Sequence, residues 1–151
     1  MSKAESHLSR RLLIAIVLAA SGFVAVWHHG TPVVTAETSD RRDSEILQAY
    51  EERSGGIWVS GEGVTIRILA DDNDGSRHQR FIIELQSGHT LLMAHNIDLA
   101  PRIDSLQTGD TVGFNGVYEW NTKGGVIHWT HHDPQGRHDG GWLRHQGRIY
   151  R

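Results

Sequence analysis

From Ile57 onward, apolar and polar residues alternate with a period of two, the pattern of strands that bury one face. Val64, Ile66 and Ile68 alternate with Thr65, Arg67 and Leu69. Phe81, Ile83 and Leu85 fall on one face of the next run, with His78, Arg80, Ile82 and Glu84 on the other. Leu91, Met93 and His95 alternate with Leu92, Ala94 and Asn96, and Val112, Phe114, Tyr118 and Trp120 share a face further on. Turn signals separate these runs: Asp71-Asp-Asn-Asp-Gly75, Ser87-Gly88, Gly109-Asp110, Asn121-Thr-Lys-Gly-Gly125 and Gly140-Gly141. The last pair predicts a further strand from Trp142 to Tyr150. The segment from Ile97 to Leu106, which contains Pro101, is expected to hold one short helix.

Upstream the period lengthens. Ile46, Leu47 and Tyr50 form the stripe of a short helix, with Asp43 or Ser44 as its cap and a stop near Ser54-Gly55-Gly56. Residues 28–43 read as a polar linker. Met1 to Arg11 carry Lys3, Arg10 and Arg11, and Leu12 to Trp27 run sixteen residues without a charge. A basic start before an apolar run predicts a signal peptide or a membrane anchor. A helix of that length spans about 24 Å, short of the ~30 Å of a full crossing. Val34-Thr35-Ala36 offers a small-residue cleavage site, so release and anchoring both stay open. In either case the basic end stays in the cytoplasm and the rest is periplasmic or otherwise extracytoplasmic. The expected organisation is residues 1–27 signal or anchor, 28–43 linker and 44–151 one β-domain.

Three strands, a short helical connection and two more strands is the order of an OB-type barrel. The lead-in Leu106-Gln-Thr-Gly-Asp-Thr-Val112 to the fourth strand resembles that of such barrels. The expected fold is therefore mainly β: a small antiparallel OB-like barrel with a short N-terminal helix. Another small antiparallel barrel or sandwich is the alternative. Fold analogy of this kind bears on architecture and little on function.

Composition narrows the chemistry. The chain has 151 residues and no cysteine, which excludes a thiol nucleophile, a thiolate zinc site and a disulfide. From residue 28 on there are 12 Lys and Arg against 17 Asp and Glu. An acidic domain argues against nonspecific binding to a phosphate backbone. Residues 120–151 reverse the balance, with 5 basic and 2 acidic residues, so an anion site belongs there.

That region also holds the densest chemistry. Gly124 to His138 contains His128, His131, His132, His138, Asp133 and Arg137. If Val126 to His131 is extended, Val126, His128 and Thr130 share one face and Ile127, Trp129 and His131 the other. Ile127 and Trp129 then form the core side, and His128 points to solvent or a cleft. Pro134 marks a bend just after Asp133.

Three stretches carry a family resemblance: Asp71-Asp-Asn-Asp-Gly-Ser-Arg-His-Gln-Arg-Phe81, His95-Asn-Ile-Asp-Leu-Ala-Pro-Arg102, and Gly116-Val-Tyr-Glu-Trp-Asn through His-Trp-Thr-His-His-Asp-Pro134. They resemble a bacterial family, domain of unknown function three-four-six-five, over roughly Glu45 to Tyr150. The resemblance implies an exported bacterial domain and brings no activity with it. The motif residues are His78, Gln79, Arg80, His95, Asn96, His128, His131, His132, Asp133, His138 and Trp142.

These residues support three functional readings. In the first, His78, His95, His128 and His132 hold a divalent metal such as zinc or manganese. Geometry restricts this, because His128 and His132 lie about 13 Å apart along an unbroken strand. In the second, His131 or His132 pairs with Asp133 for metal-free acid–base work on a phosphodiester, with Arg80 or Arg137 facing the anion. In the third, the barrel is a noncatalytic module for an oligonucleotide or oligosaccharide, using Asn96, His138 and Trp142. Against all three stands a structural reading: histidines bonded at a barrel rim, and Tyr118, Trp120 and Trp129 packed in the core. The Asp71–Asp74 run does not fit an EF-hand calcium loop, and a solvated turn is expected there. The leading expectation is a hydrolase acting on a phosphodiester, with or without a metal, that combines His128, His131, His132 and Asp133 with His78 and His95 and pairs Arg80 with the anion.

Overall fold

One helix and seven strands form the described part of the chain: α1 (Ala36–Glu51), β1 (Ile57–Ile68), β2 (His78–Glu84), β3 (Thr90–Asn96), β4 (Thr111–Glu119), β5 (Val126–His128), β6 (Trp142–His145) and β7 (Arg148–Tyr150). This computed structural model describes residues 36–137 and 139–151. The expected signal or anchor at residues 1–27, most of the linker, and His138 lie outside the described residues. Among the described residues no helix is long and apolar enough to cross a membrane.

The strands run in the order β1-β2-β3-β5-β4, and β4 pairs back onto β1. The barrel is therefore closed, with five strands. β3 and β5 are parallel, and the other pairs are antiparallel. This is the OB-like architecture expected from the element order. β1 serves both sides of the closure. Its first half pairs with β4 and its second half with β2, and a bulge between Thr65 and Arg67 takes up the bend.

Large side chains from the other strands fill the interior. Phe81, Ile83, Leu91, Met93, Val112, Phe114, Tyr118 and Ile127 are fully buried. The inner positions of β1 are Val59, Gly61, Gly63 and Thr65, and its Val64, Ile66 and Ile68 are exposed at 40–44%. Helix α1 lays Ile46 and Ala49 on the barrel. It is longer than the sequence suggests, so Asp43 and Ser44, expected as caps, lie inside it. Asp43 is buried and accepts the Ser87 N–H at 3.0 Å. The helix closes where Arg53 turns left-handed (φ 56°) and the Ser54 N–H reaches Ala49 O at 2.9 Å.

The helix expected between Ile97 and Leu106 does not form. The segment is a series of turns, held by a few backbone bonds and by bonds from its backbone to side chains. The buried Gln79 amide donates to Ile103 O and accepts from the Ile103 N–H, at 2.9 and 2.8 Å. Arg102 bridges Asp71 and Asp104 at 3.0 and 3.2 Å. These bonds seat Ala100, Ile103 and Leu106 in the core. The Leu106–Val112 lead-in has a physical role as well. Asp110 accepts the Gln107 N–H and meets the buried His145 ring, both at 2.8 Å. The Gln107 bond, followed by His145, holds the Asp110 carboxyl below its usual range.

The strand expected from Trp142 to Tyr150 is two strands. Gln146 (φ 47°) and Gly147 (φ 78°) make consecutive left-handed residues, the geometry of a two-residue hairpin. A second break matters more. Along β4, Val117 pairs with His128 and Asn115 pairs with Trp142. β5 and β6 are thus two halves of one strand position, and the described residues between them, 129–137 and 139–141, leave the sheet. Trp129 opens this excursion with φ 59°, a conformation uncommon for a bulky residue. At the neck, a Cβ on Gly141 would collide with the carbonyl oxygens of Trp129 and Asn115. Only glycine lets the two ends of the excursion meet there.

Candidate functional site

The excursion folds over the outer face of the barrel and makes one wall of a cleft. His78 and Asn96, cross-strand partners on β2 and β3, supply the floor. His128 comes from the end of β5, and His131, Asp133 and Arg137 from the excursion. Together they line a hollow of about 370 Å³. Imidazoles separated by fifty residues of sequence therefore meet in one place.

Parity fails at Trp129. Its left-handed backbone ends the strand, so Thr130 turns inward and is buried, where alternation had placed it with His128. Trp129 is half-buried, and its ring lies 6.2 Å from His128 and 6.4 Å from His131, stacked on the latter. His131, expected on the core side, is nearly buried and lines the cleft.

Each histidine has a distinct chemical position. His131 Nδ1 is 2.6 Å from His132 O, and His78 Nδ1 is 2.7 Å from Ser76 O. A carbonyl only accepts, so each Nδ1 carries the proton and each Nε2 keeps its lone pair. Burial is the main reason that the His131 pKa is lowered. Burial likewise lowers that of His128, against the pull of Glu119. His78 also lowers the pKa of both. The resting cleft holds His128 and His131 uncharged near neutral pH.

His95, expected as a metal ligand, is a core residue beneath the cleft. Its Nε2 lies 3.1 Å from Pro101 O and its Nδ1 2.8 Å from Thr130 Oγ1, so both nitrogens are engaged. Burial drops its pKa to about 4. His132, expected as ligand or base, is exposed and does not line the cleft. Among the described residues no three His, Asp or Glu side chains are placed to share a metal ion. The donor set expected for zinc or manganese is therefore not assembled. Asp133 was expected to orient an imidazole. Its carboxylate accepts the backbone N–H groups of Gln135 and Arg137, at 2.9 and 2.6 Å, and so shapes the excursion, and its charge acts on the His131 ring.

A second hollow of about 340 Å³ adjoins the first and shares His78 and His128 with it. Arg80 lies here, 3.6 Å from Asp72, together with Leu92, Val126 and Glu119. A third hollow of about 390 Å³ shares Leu92 with the second and ends at Arg67 and Lys123. The cross-strand row Arg67, Ile82, Leu92, Val126 and Glu119 floors this run. Trp142, expected as an exposed ligand-binding aromatic, is half-buried outside these hollows with Arg144 over its ring. Phe114, Tyr118 and Trp120 pack in or against the core, as their parity suggested. The Asp71–Gly75 stretch is a turn tied by Arg102, Arg80 and the Asp74 N–H. Sequence reasoning missed Glu119, whose outward parity opposite Tyr118 was the available signal.

A closed five-stranded barrel, with an imidazole-lined cleft built by an interrupted fifth strand, is the class of protein that these features define. A family model described as "Protein of unknown function (DUF3465)" matches residues 26–151, and the chain belongs to that family. No curated protein matches the chain.

Proposed function

We propose that the cleft is the active site of a metal-independent acid–base hydrolase acting on a phosphodiester or a similar anionic ester. The observation that carries this reading is the fixed tautomer of His131 and His78, each holding Nδ1–H on a backbone carbonyl and leaving Nε2 as a base. Backbone carbonyls here do the orienting that a carboxylate does elsewhere. Neutral His131 takes the proton of the attacking water or hydroxyl as its oxygen bonds to phosphorus. The bond to the leaving oxygen breaks, and a second imidazole of the cleft, protonated from solvent as the anionic ester binds, gives that oxygen a proton. Arg137 faces the charge that builds on the phosphoryl oxygens. The basic start and apolar run of residues 1–27 support placing this chemistry outside a cytoplasmic membrane, with the domain held or released by that segment.

The test is turnover of a panel of phosphodiesters by the purified chain, with and without EDTA. Turnover that survives the chelator is expected. No turnover on any ester, or turnover abolished by EDTA and restored by zinc or manganese, contradicts the proposal. A second reading, a noncatalytic binding module, is favoured by the continuity of the three hollows and by Arg67 and Lys123 at the far end. On that reading an anionic oligonucleotide binds and His131→Ala leaves its affinity unchanged, with no turnover to lose.

A further inference from the structure

His128 has an unusual surrounding. Its side chain is 39% exposed, yet Nε2 is sealed from solvent and has no hydrogen-bond partner among the described residues. The exposed part of the ring is therefore the remainder, away from Nε2. Charged or titratable groups approach His128 from several elements: Glu119 on β4, His78 on β2 and His131 on the excursion, with Arg80 and Asp72 lining the same hollow. Of these, only Glu119 offers an ion-pair contact, with Oε1 4.0 Å from Nε2.

Glu119 is also given room. Its carboxylate lies against the Gly55 backbone, where a Cβ would collide with Oε2. A side chain at residue 55 would displace the carboxylate. The Glu119 side chain is 47% exposed, which leaves it free to close the last ångström to Nε2. A sealed nitrogen with no other acceptor favours that closure, since an unpaired buried donor is costly.

We propose that Glu119 is the positioning residue of the site: its carboxylate takes the Nε2–H of His128 and turns Nδ1 to the shared wall of the two hollows as the proton-delivering nitrogen. The inference rests on the acid–base reading above and assigns its second imidazole. As the anionic ester binds, His128 takes a proton from solvent at Nδ1; the imidazolium, held by Glu119 at Nε2, gives that proton to the leaving oxygen and returns to the neutral Nε2–H form. His131 returns its proton to solvent after product leaves, and both rings are again neutral. His131 is a base fixed by a carbonyl, while His128 is an acid fixed by a carboxylate. That difference separates the two roles.

The test is long-range proton–nitrogen NMR on the 15N-labelled chain. Neutral His128 is expected as the Nε2–H tautomer in the wild type, and Glu119→Leu is expected to move it toward Nδ1–H while His131 stays Nδ1–H. In turnover, Glu119→Leu is expected to lower kcat roughly tenfold or more with KM little changed, and Glu119→Asp to recover part of the loss. A wild-type His128 already in the Nδ1–H form, or a tautomer indifferent to Glu119→Leu, overturns the proposal. Should Glu119→Leu fail to fold, the wild-type tautomer decides alone. The NMR result stands whether or not the chain turns over an ester, so failure of the hydrolase reading and failure of the pairing are seen separately.

Discussion

His131→Ala is expected to lower kcat/KM on a phosphodiester about 10²–10⁴-fold, the range that a positioned general base contributes. The imidazole is neutral at rest because burial lowers its pKa, and its Nδ1 proton is tied to His132 O. Among the described residues, no other group in the cleft combines those two properties with a place beside His128 and Arg137. The pH profile should carry the same signature. The limb that reports loss of the base should lie below the ordinary imidazole value of 6.5 in the wild type and vanish in the variant. Truncation also removes a ring stacked on Trp129 at 6.4 Å, so thermal unfolding must be compared before the rate is interpreted. A variant that folds and retains full turnover rules out His131 as the base.

The second large effect concerns stability. Unfolding free energy is expected to be level above pH 6.5 and to fall as the solution is acidified toward pH 4. His95 is the cause. In the unfolded chain it takes a proton near 6.5, while in the folded barrel burial delays that to about 4. Between those values the unfolded state binds more protons, so acid favours unfolding, and the loss is complete below the folded value. At about 1.4 kcal/mol per pH unit, the His95 share comes to about 3 kcal/mol. The lowered pKa values of His128 and His131 act in the same direction. Much of this loss falls between pH 6.5 and 5, above the range where carboxylates titrate, which separates the two contributions. His95→Gln is expected to lower stability at pH 7 by breaking the bonds to Thr130 and Pro101, and to flatten the dependence between pH 6.5 and 5. Denaturant unfolding at pH 7, 6 and 5 on both proteins checks this. A wild type equally stable at pH 7 and 5 contradicts it.

The barrel was legible where alternation involved large residues. Phe81 and Ile83, Leu91 and Met93, and Phe114 and Tyr118 turned inward as their period required. The same pattern placed His95 on the Leu91–Met93 face, and that placement already marked it as a core residue rather than a ligand. On β1 the rule offered less, because beyond Val59 the inner positions are small or polar and the larger residues face outward. The cleft was only partly legible. His78, Asn96, His128, His131, Asp133 and Arg137 were all singled out, and the fold brings them together. Their roles depend on a feature with no local signal: tryptophan seldom adopts a left-handed backbone, and Trp129 does so. That one residue reverses the parity of all that follows, burying Thr130 under His95 and turning His131 into the cleft. Gly140-Gly141 was read as a spacer between strands. Its larger function is to let the excursion return through a neck too narrow for a side chain. Glu119 was missed because its meeting with His128 depends on a strand pairing that no local pattern reveals.

The central claim is that imidazoles from β2, β5 and the excursion form one electrostatically coupled cleft. Histidine NMR titration in the presence of a non-hydrolysable phosphodiester tests it most directly. The prediction is that His128 and His131 titrate below 6.5 in the free protein, that His78→Gln raises both, and that the diester shifts the signals of all three rings together. Titration of His128 and His131 at the ordinary imidazole value, indifferent to His78→Gln, with no common response of the three rings to the anion, would contradict it.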